Sequence, residues 1–125
     1  KKINAKLEKL EAQQLRRELE AQASKLGYKQ LKKNPDRWSG THVKFRGEIF
    51  SIREADGKSV MQINVTHRGY GIWDDQIFVI YDGYTNLVEE QVVTFFGTVA
   101  GSLAYESVAG WQMSVPSVLA DAFYP

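Results

Sequence analysis

One long strand-like segment, residues 43–52, constrains this chain more than any other feature. Its apolar positions alternate with polar ones, as expected for a strand with one buried face, and are Val43, Phe45, Gly47 and Ile49. Gly47 stands where an inward side chain is expected, and after Ile49 the apolar phase slips by one residue, to Phe50 and Ile52. A glycine and a phase slip let one strand bend sharply and serve both halves of a small closed barrel.

The residues before this strand predict a short capping element. A basic helix over residues 28–33 ends at Asn34 and Pro35, because the residue before a proline is pushed out of the α region. A turn follows through Trp38 and Gly40. We expect this short helix to close one end of the barrel.

The rest of the chain predicts four more strands. Asp56 and Gly57 form a strong hairpin turn into a second strand, whose Met61, Ile63 and Val65 face inward. The other predicted strands are 76–81, 92–100 and 111–124, the last broken at Pro116. The predicted connections are loops over 67–75 and 101–110 and a single turn around 85–90. The predicted fold class is therefore mainly β: a five-stranded OB-type β-barrel preceded by a long N-terminal α-helix and the short capping helix.

Residues 1–26 predict the long helix, since they lack glycine and proline and are rich in strong helix formers. Gly27 is the expected stop, which divides the chain into a helix at 1–27 and a barrel domain at 28–125. At 100° per residue two apolar stripes separate, one with Ala5, Ala12, Leu15, Leu19, Ala23 and Leu26, the other with Ile3, Leu7 and Leu10. Two interpretations stay open: a solvated linker helix, or a coiled-coil segment that makes the protein a homo-oligomer.

Charge is divided unevenly along the chain. Residues 1–33 contain ten basic and four acidic side chains, whereas residues 34–125 contain six basic and eleven acidic ones. The helical part is therefore basic and the barrel acidic. The chain has no cysteine, which excludes disulfides and thiolate chemistry. No apolar run approaches the ~20 residues of a membrane span, and we expect a segment upstream of Lys1, which is not a starting methionine.

The sequence offers no constellation typical of catalysis. His42 and His67 lie at strand ends without a partner at metal-ligand spacing. The acidic pairs at 74–75 and 89–90 are adjacent in sequence, so in a strand their side chains point to opposite faces. Phosphate loops and metalloprotease motifs are missing as well. We predict a protein that is not an enzyme and that has no cofactor and no metal.

The two ends of the barrel segment resemble a group of bacterial OB-fold domains, similar to the tRNA-anti-like OB group, that are exported or membrane-anchored. The matching residues are Leu31, Asn34, Pro35, Trp38, Gly40, Val43, Phe45, Gly47 and Ile49 at the start and Tyr105, Glu106, Ser107, Gly110, Pro116 and Ala120 at the end. The resemblance implies the fold and a place outside the cytoplasm or attached to a membrane, and it transfers no site. A basic helix directly after a membrane span would favour the cytoplasmic side instead.

Barrels of this type bind ligands on the face of strands two and three and on the loops beside it. The candidate ligand-binding residues on that surface are Lys58, Gln62, Asn64, Arg68, Tyr70, Trp73, Phe78, Tyr84 and Tyr105, with Val60 and Ile80 between them. Aromatic groups beside cations can hold single-stranded nucleic acid, but a net acidic barrel repels a polyanion. We therefore expect a non-catalytic binding or assembly module with a protein, peptide or glycan partner. Single-stranded nucleic-acid binding is the alternative.

Overall fold

The computed structural model describes residues 2–125, with side chains from Asn4 onward. The prediction for the Ile3 side chain therefore lies outside the described residues. The helical elements are α1 (Lys2–Gln22), α2 (Tyr28–Lys33) and a 3₁₀ turn (Pro35–Trp38). The strands are β1 (His42–Ala55), β2 (Lys58–Gly69), β3 (Ile72–Tyr81), β4 (Val92–Glu106) and β5 (Gln112–Tyr124).

The five strands close into a barrel in the order β1-β2-β3-β5-β4. All neighbours are antiparallel except β3 and β5, which are parallel. The predicted fold class is confirmed: a mainly β chain with a closed five-stranded barrel after one long and one short helix. The strand order is compatible with an OB-fold.

β1 bends at the predicted place. It pairs with β4 up to Glu48 and with β2 from Glu48 onward, so Gly47 lies where the strand passes from one half of the barrel to the other. A Cβ atom on Gly47 would overlap the backbone oxygen of Asn64 and lie 2.8 Å from Cγ2 of Ile63. The register shift between Ile49 and Ser51 confirms the phase slip as a β-bulge. The prediction that Phe50 turns inward is wrong, because the bulge leaves this side chain 56% exposed.

α2 closes one end of the barrel. Leu31 is fully buried in the same cluster as Ile49, Ile63 and Phe95, and Trp38 packs against that cluster from the 3₁₀ turn. At 100° per residue, Lys29 and Lys33 lie on the side of the helix opposite Leu31 and Lys32 lies on its flank. The short helix thus points one apolar side chain into the core and three cations outward.

α1 ends five residues before the predicted stop at Gly27. The backbone N–H of Ser24 donates to the carbonyl oxygen of His42 at 2.8 Å, which ties the chain to β1 and draws it out of the helix. Leu26 then enters the barrel core. Within the described helix only Leu19 is buried, and every residue from 4 to 18 is exposed.

No helix among the described residues combines the length and the apolar composition of a membrane span.

Two predicted loops are strands. Residues 67–75 continue β2 and β3 around a tight turn at Tyr70 and Gly71, which both have positive φ. Residues 101–106 continue β4, and β5 runs through Pro116 without a break because Pro116 pairs with Ser102 on the extended hairpin. The single turn expected around 85–90 is a hydrogen-bonded turn at 88–91, in which the backbone N–H of Gln91 donates to the carbonyl oxygen of Val88.

Candidate functional site

A groove of about 490 Å³ crosses the outer face of β1, β2 and β3. Seven side chains line it. They are the apolar Val60 and Phe78, Tyr105 with its hydroxyl, Gln62 with its amide, and the polar or charged Ser51, Arg53 and Glu106. Arg53 is paired with Val60 and Gln62 with Phe78 across neighbouring strands. The groove therefore follows directly from the register of three strands, with the β4–β5 hairpin as its far wall.

The β4–β5 hairpin reaches the groove because of how its base is fixed. Gly101 has a φ of +97°, and its carbonyl oxygen accepts a hydrogen bond from Oγ of buried Ser117 at 3.1 Å. From there the hairpin brings Tyr105 against Phe78, with ring centroids 5.7 Å apart and planes nearly perpendicular at 87°. Edge-to-face pairs of this kind are favourable. The pair holds the wall of the groove against its floor.

The groove carries one charge of each sign. Among the side chains that the structure describes, neither Arg53 nor Glu106 forms a salt bridge. Gln62 and Ser51 each add a hydrogen-bond donor and an acceptor. The surface can therefore bind a ligand that presents both donors and acceptors, and it has no net positive charge with which to attract a polyanion.

Of the nine predicted site residues, the structure brings Gln62, Phe78 and Tyr105 together in this groove. Sequence reasoning missed Ser51, Arg53 and Glu106. The signal for Arg53 was present, because the Asp56-Gly57 turn sets the hairpin register that places Arg53 opposite Val60. Glu106 shared its predicted loop with Tyr105, but it lacks the aromatic ring that made Tyr105 a candidate.

Lys58, Asn64 and Tyr84 do not line the groove. Lys58 is exposed at the start of β2, and Asn64 lies between Glu48 and Gln76 farther along the sheet. The hydroxyl oxygen of Tyr84 accepts a hydrogen bond from the backbone N–H of Gly57 at 3.0 Å. Tyr84 also lines a second cavity, of about 420 Å³, beside Leu15 of α1 and the end of β5.

Arg68, Tyr70 and Trp73 belong to the projecting β2–β3 hairpin. Arg68 Nη2 lies 3.4 Å from Asp74 and 3.3 Å from Asp75, and Trp73 packs on His67 with centroids 4.8 Å apart. Both acidic side chains approach the same arginine, although they were expected to point apart. The reason is the positive φ of Asp75, 67°, which interrupts the alternation of the strand. Tyr70, at the tip, is fully exposed.

The other two tryptophans differ in burial. Trp38 packs against the core, whereas Trp111 is 71% exposed on the β4–β5 hairpin. The hairpin leaves Leu103 and Met113 exposed too. The outer end of this hairpin is thus an apolar surface next to the groove.

Tyr28 links α2 to the strands beside the groove. Its hydroxyl donates a hydrogen bond to the carbonyl oxygen of Gln76 at 3.2 Å. Burial, and then the negative charges of Asp75 and Asp74, raise the pKa of Tyr28 to about 12. The tyrosine is therefore neutral near neutral pH and acts as a structural donor.

Comparison with models of protein families and with curated protein sequences found no match for this chain.

Proposed function

We propose that the protein is a non-catalytic binding or assembly module on an OB-type barrel, and that its groove holds an extended segment of a protein or peptide partner. The observation that carries the proposal is the groove between the β2–β3 face and the β4–β5 hairpin. Its volume, about 490 Å³, falls within the ~300–1,000 Å³ typical of ligand sites.

The chemistry of the lining favours a polypeptide over a polyanion. Val60 and Phe78 offer apolar contact, while Ser51, Gln62, Arg53 and Glu106 supply donors and acceptors. An extended peptide presents alternating N–H and C=O groups together with side chains, which matches such a mixed surface. Nucleic-acid affinity depends mainly on phosphate neutralisation, and one arginine offset by one glutamate supplies little of it.

The edge-to-face contact between Tyr105 and Phe78 also bears on the alternative ligands. In this geometry the edge of one ring covers a face of the other, which leaves less ring face open for stacking a base or a sugar. Val60 beside the pair adds an apolar surface that suits aliphatic side chains. For this reason we favour a peptide over a glycan.

The test uses a peptide-display selection on the immobilised chain, followed by affinity measurements with selected synthetic peptides. We expect Phe78→Ala and Tyr105→Ala to weaken binding by about tenfold or more, since buried aromatic anchors dominate such interfaces. Tyr70→Ala is the matched control, because Tyr70 is fully exposed outside the groove and its loss should leave affinity unchanged.

A parallel measurement addresses the alternative. Fluorescence anisotropy with labelled single-stranded DNA and RNA, at about 0.15 M salt, should give no micromolar binding. Micromolar binding that disappears in Phe78→Ala and Tyr105→Ala would replace the peptide proposal with single-stranded nucleic-acid binding by the same groove.

We further propose, from the resemblance of the chain ends to exported or membrane-anchored bacterial domains, that the module is part of an exported or membrane-attached protein. The sequence upstream of Lys1 tests this directly. A signal peptide or membrane span there would support the location, and a preceding cytoplasmic domain without either would contradict it.

A further inference from the structure

A second concave site lies at the junction between α2 and the 3₁₀ turn. It has a volume of about 300 Å³ and is lined by Gln30, Lys33, Asn34, Arg37 and Trp38. It shares no lining residue with the barrel groove, and its chemistry differs sharply from that of the groove.

The side chains around this site present donors. The amide oxygen of Asn34 accepts from the backbone N–H of Arg37 at 3.3 Å, and that of Gln30 accepts from the backbone N–H of Gly27 at 3.4 Å. Each amide oxygen thus already accepts one hydrogen bond within the chain, while the two NH₂ groups remain as donors. Lys33 and Arg37 have donors only. Such a lining fits a ligand whose polar atoms are all acceptors.

Positive charge is concentrated here. Lys29, Lys32, Lys33 and Arg37 are exposed within nine residues of sequence, and within the described part of the chain neither Lys33 nor Arg37 forms a salt bridge. The one nearby carboxylate in sequence, Asp36, is turned toward β4, where Oδ1 accepts from the backbone N–H of Ser102 at 3.0 Å and from its hydroxyl at 3.2 Å. Among the described residues, Lys33 and Arg37 therefore have no carboxylate partner within salt-bridge distance.

Trp38 makes the site more than a set of surface cations. The guanidinium of Arg37 lies over its ring, 4.9 Å from the centroid, which restricts the arginine to one side of the concavity. The indole N–H donates to the carbonyl oxygen of Gln30 at 3.2 Å, which fixes the ring to the last turn of α2. The tryptophan therefore positions one cation and forms an apolar wall beside it.

We propose that this second site binds the phosphate group of a phosphate monoester. A doubly charged oxyanion with several acceptor oxygens matches a fork of guanidinium donors, an ammonium group and two amides. The volume lies at the lower end of the range for small-ligand pockets, so a phosphate with a small organic group fits. The same chemistry is found in a soluble phosphate ester and in a phosphatidic acid headgroup.

The experiment follows the Trp38 indole N–H resonance in ¹H–¹⁵N spectra of the whole chain while ligand is added, at about 0.15 M salt. One arm uses inorganic phosphate and glycerol phosphate. The other measures co-sedimentation with vesicles containing phosphatidic acid, against vesicles of phosphatidylcholine alone. We expect saturable shifts at millimolar soluble ester, or vesicle binding that needs phosphatidic acid, and the arm that responds identifies the source.

Charge-matched variants separate a site from general attraction. Lys33→Ala and Arg37→Ala should each weaken binding about tenfold, as expected for the loss of a hydrogen bond to a charged group. Lys29→Ala removes the same charge one helical turn before Lys33, from a side chain that does not line the concavity, and should change affinity by less than about twofold. Three results would overturn the proposal. They are equal losses of affinity in all three variants, no response in either arm, and tighter binding of a single-stranded oligonucleotide than of both phosphate ligands. The barrel groove is not involved in any of these outcomes.

Discussion

The two helices before the barrel are held in opposite ways. α1 has 21 residues and near-ideal helix composition, yet only Leu19 is buried among its described side chains. α2 has six residues and carries Leu31 into the centre of the core. Helix propensity and tertiary packing are therefore separate quantities in this chain. The longer helix follows from local preference, and the shorter one exists because the barrel needs a cap.

Substitution of one leucine in each helix gives the largest expected contrast. Leu31→Ala should lower the free energy of unfolding by about 2–5 kcal/mol, because it leaves a cavity in the core. Leu10→Ala, at a position that is 55% exposed on α1, should change it by less than about 0.5 kcal/mol. Urea unfolding of both variants measures the difference. Similar losses in the two would show that α1 supports the barrel as firmly as α2 does.

Within the barrel, the backbone of β1 at Gly47 lies very close to β2. Gly47→Val should destabilise by about 1–3 kcal/mol, since the new side chain meets the backbone of Asn64 and the side chain of Ile63. Ala55→Val is the control, because it adds two methyl groups to an exposed position of the same strand and should cost less than about 0.5 kcal/mol. An unchanged urea midpoint for Gly47→Val would mean that β1 has room where the structure has a close crossing.

These contrasts explain what the sequence could and could not predict. The bend at Gly47 and the bulge after Ile49 were predictable because a buried face enforces alternation, and any departure from it is visible. The extent of the hairpins was not, because residues 67–75 and 101–106 leave the barrel and their polar and apolar side chains no longer alternate. Tyr105 was predicted as a site residue from its aromatic ring, whereas the loop assignment gave no sign that Glu106 lines the same groove.

The early end of α1 has a different cause. Nothing in residues 23–26 disfavours a helix, and the chain leaves it because Ser24 bonds to His42 and Leu26 fills the core. Both partners are distant in sequence, so local preference carries no trace of them. The second concave site was hidden in a similar way, since it depends on Asp36 turning away to Ser102.

Tyr28 provides a smaller test of how α2 is attached. Tyr28→Phe removes the hydrogen bond to Gln76 and should cost about 0.5–1.5 kcal/mol at about pH 8. The folded-state pKa, about 12, lies above the ordinary value of 10.0, so the folded chain binds this proton more tightly. That contribution is complete below pH 10.0 and is lost as the pH rises toward 12. Stability measured between about pH 8 and pH 11 should therefore fall more steeply in the parent than in Tyr28→Phe. Equal slopes of stability against pH in the parent and in Tyr28→Phe would contradict the link between α2 and β3. Tyr70→Phe, at a fully exposed position, serves as the control.

Removal of residues 1–14 should have the smallest effect on stability and the clearest effect on association. The shortened chain keeps Leu19 and Leu26, the leucines through which α1 and the segment after it meet the barrel, and it loses only exposed residues among those whose side chains are described. Its urea midpoint should therefore match that of the full chain, in keeping with a barrel domain that folds by itself.

Leu7 and Leu10 are more than half exposed and have no partner within the described part of the chain, so we expect them to pack against a second α1. Sedimentation should then give a larger mass for the full chain than for the shortened one. Identical monomer masses would reduce α1 to a solvated linker helix, and a lowered urea midpoint would mean that the first turns of α1 support the barrel after all.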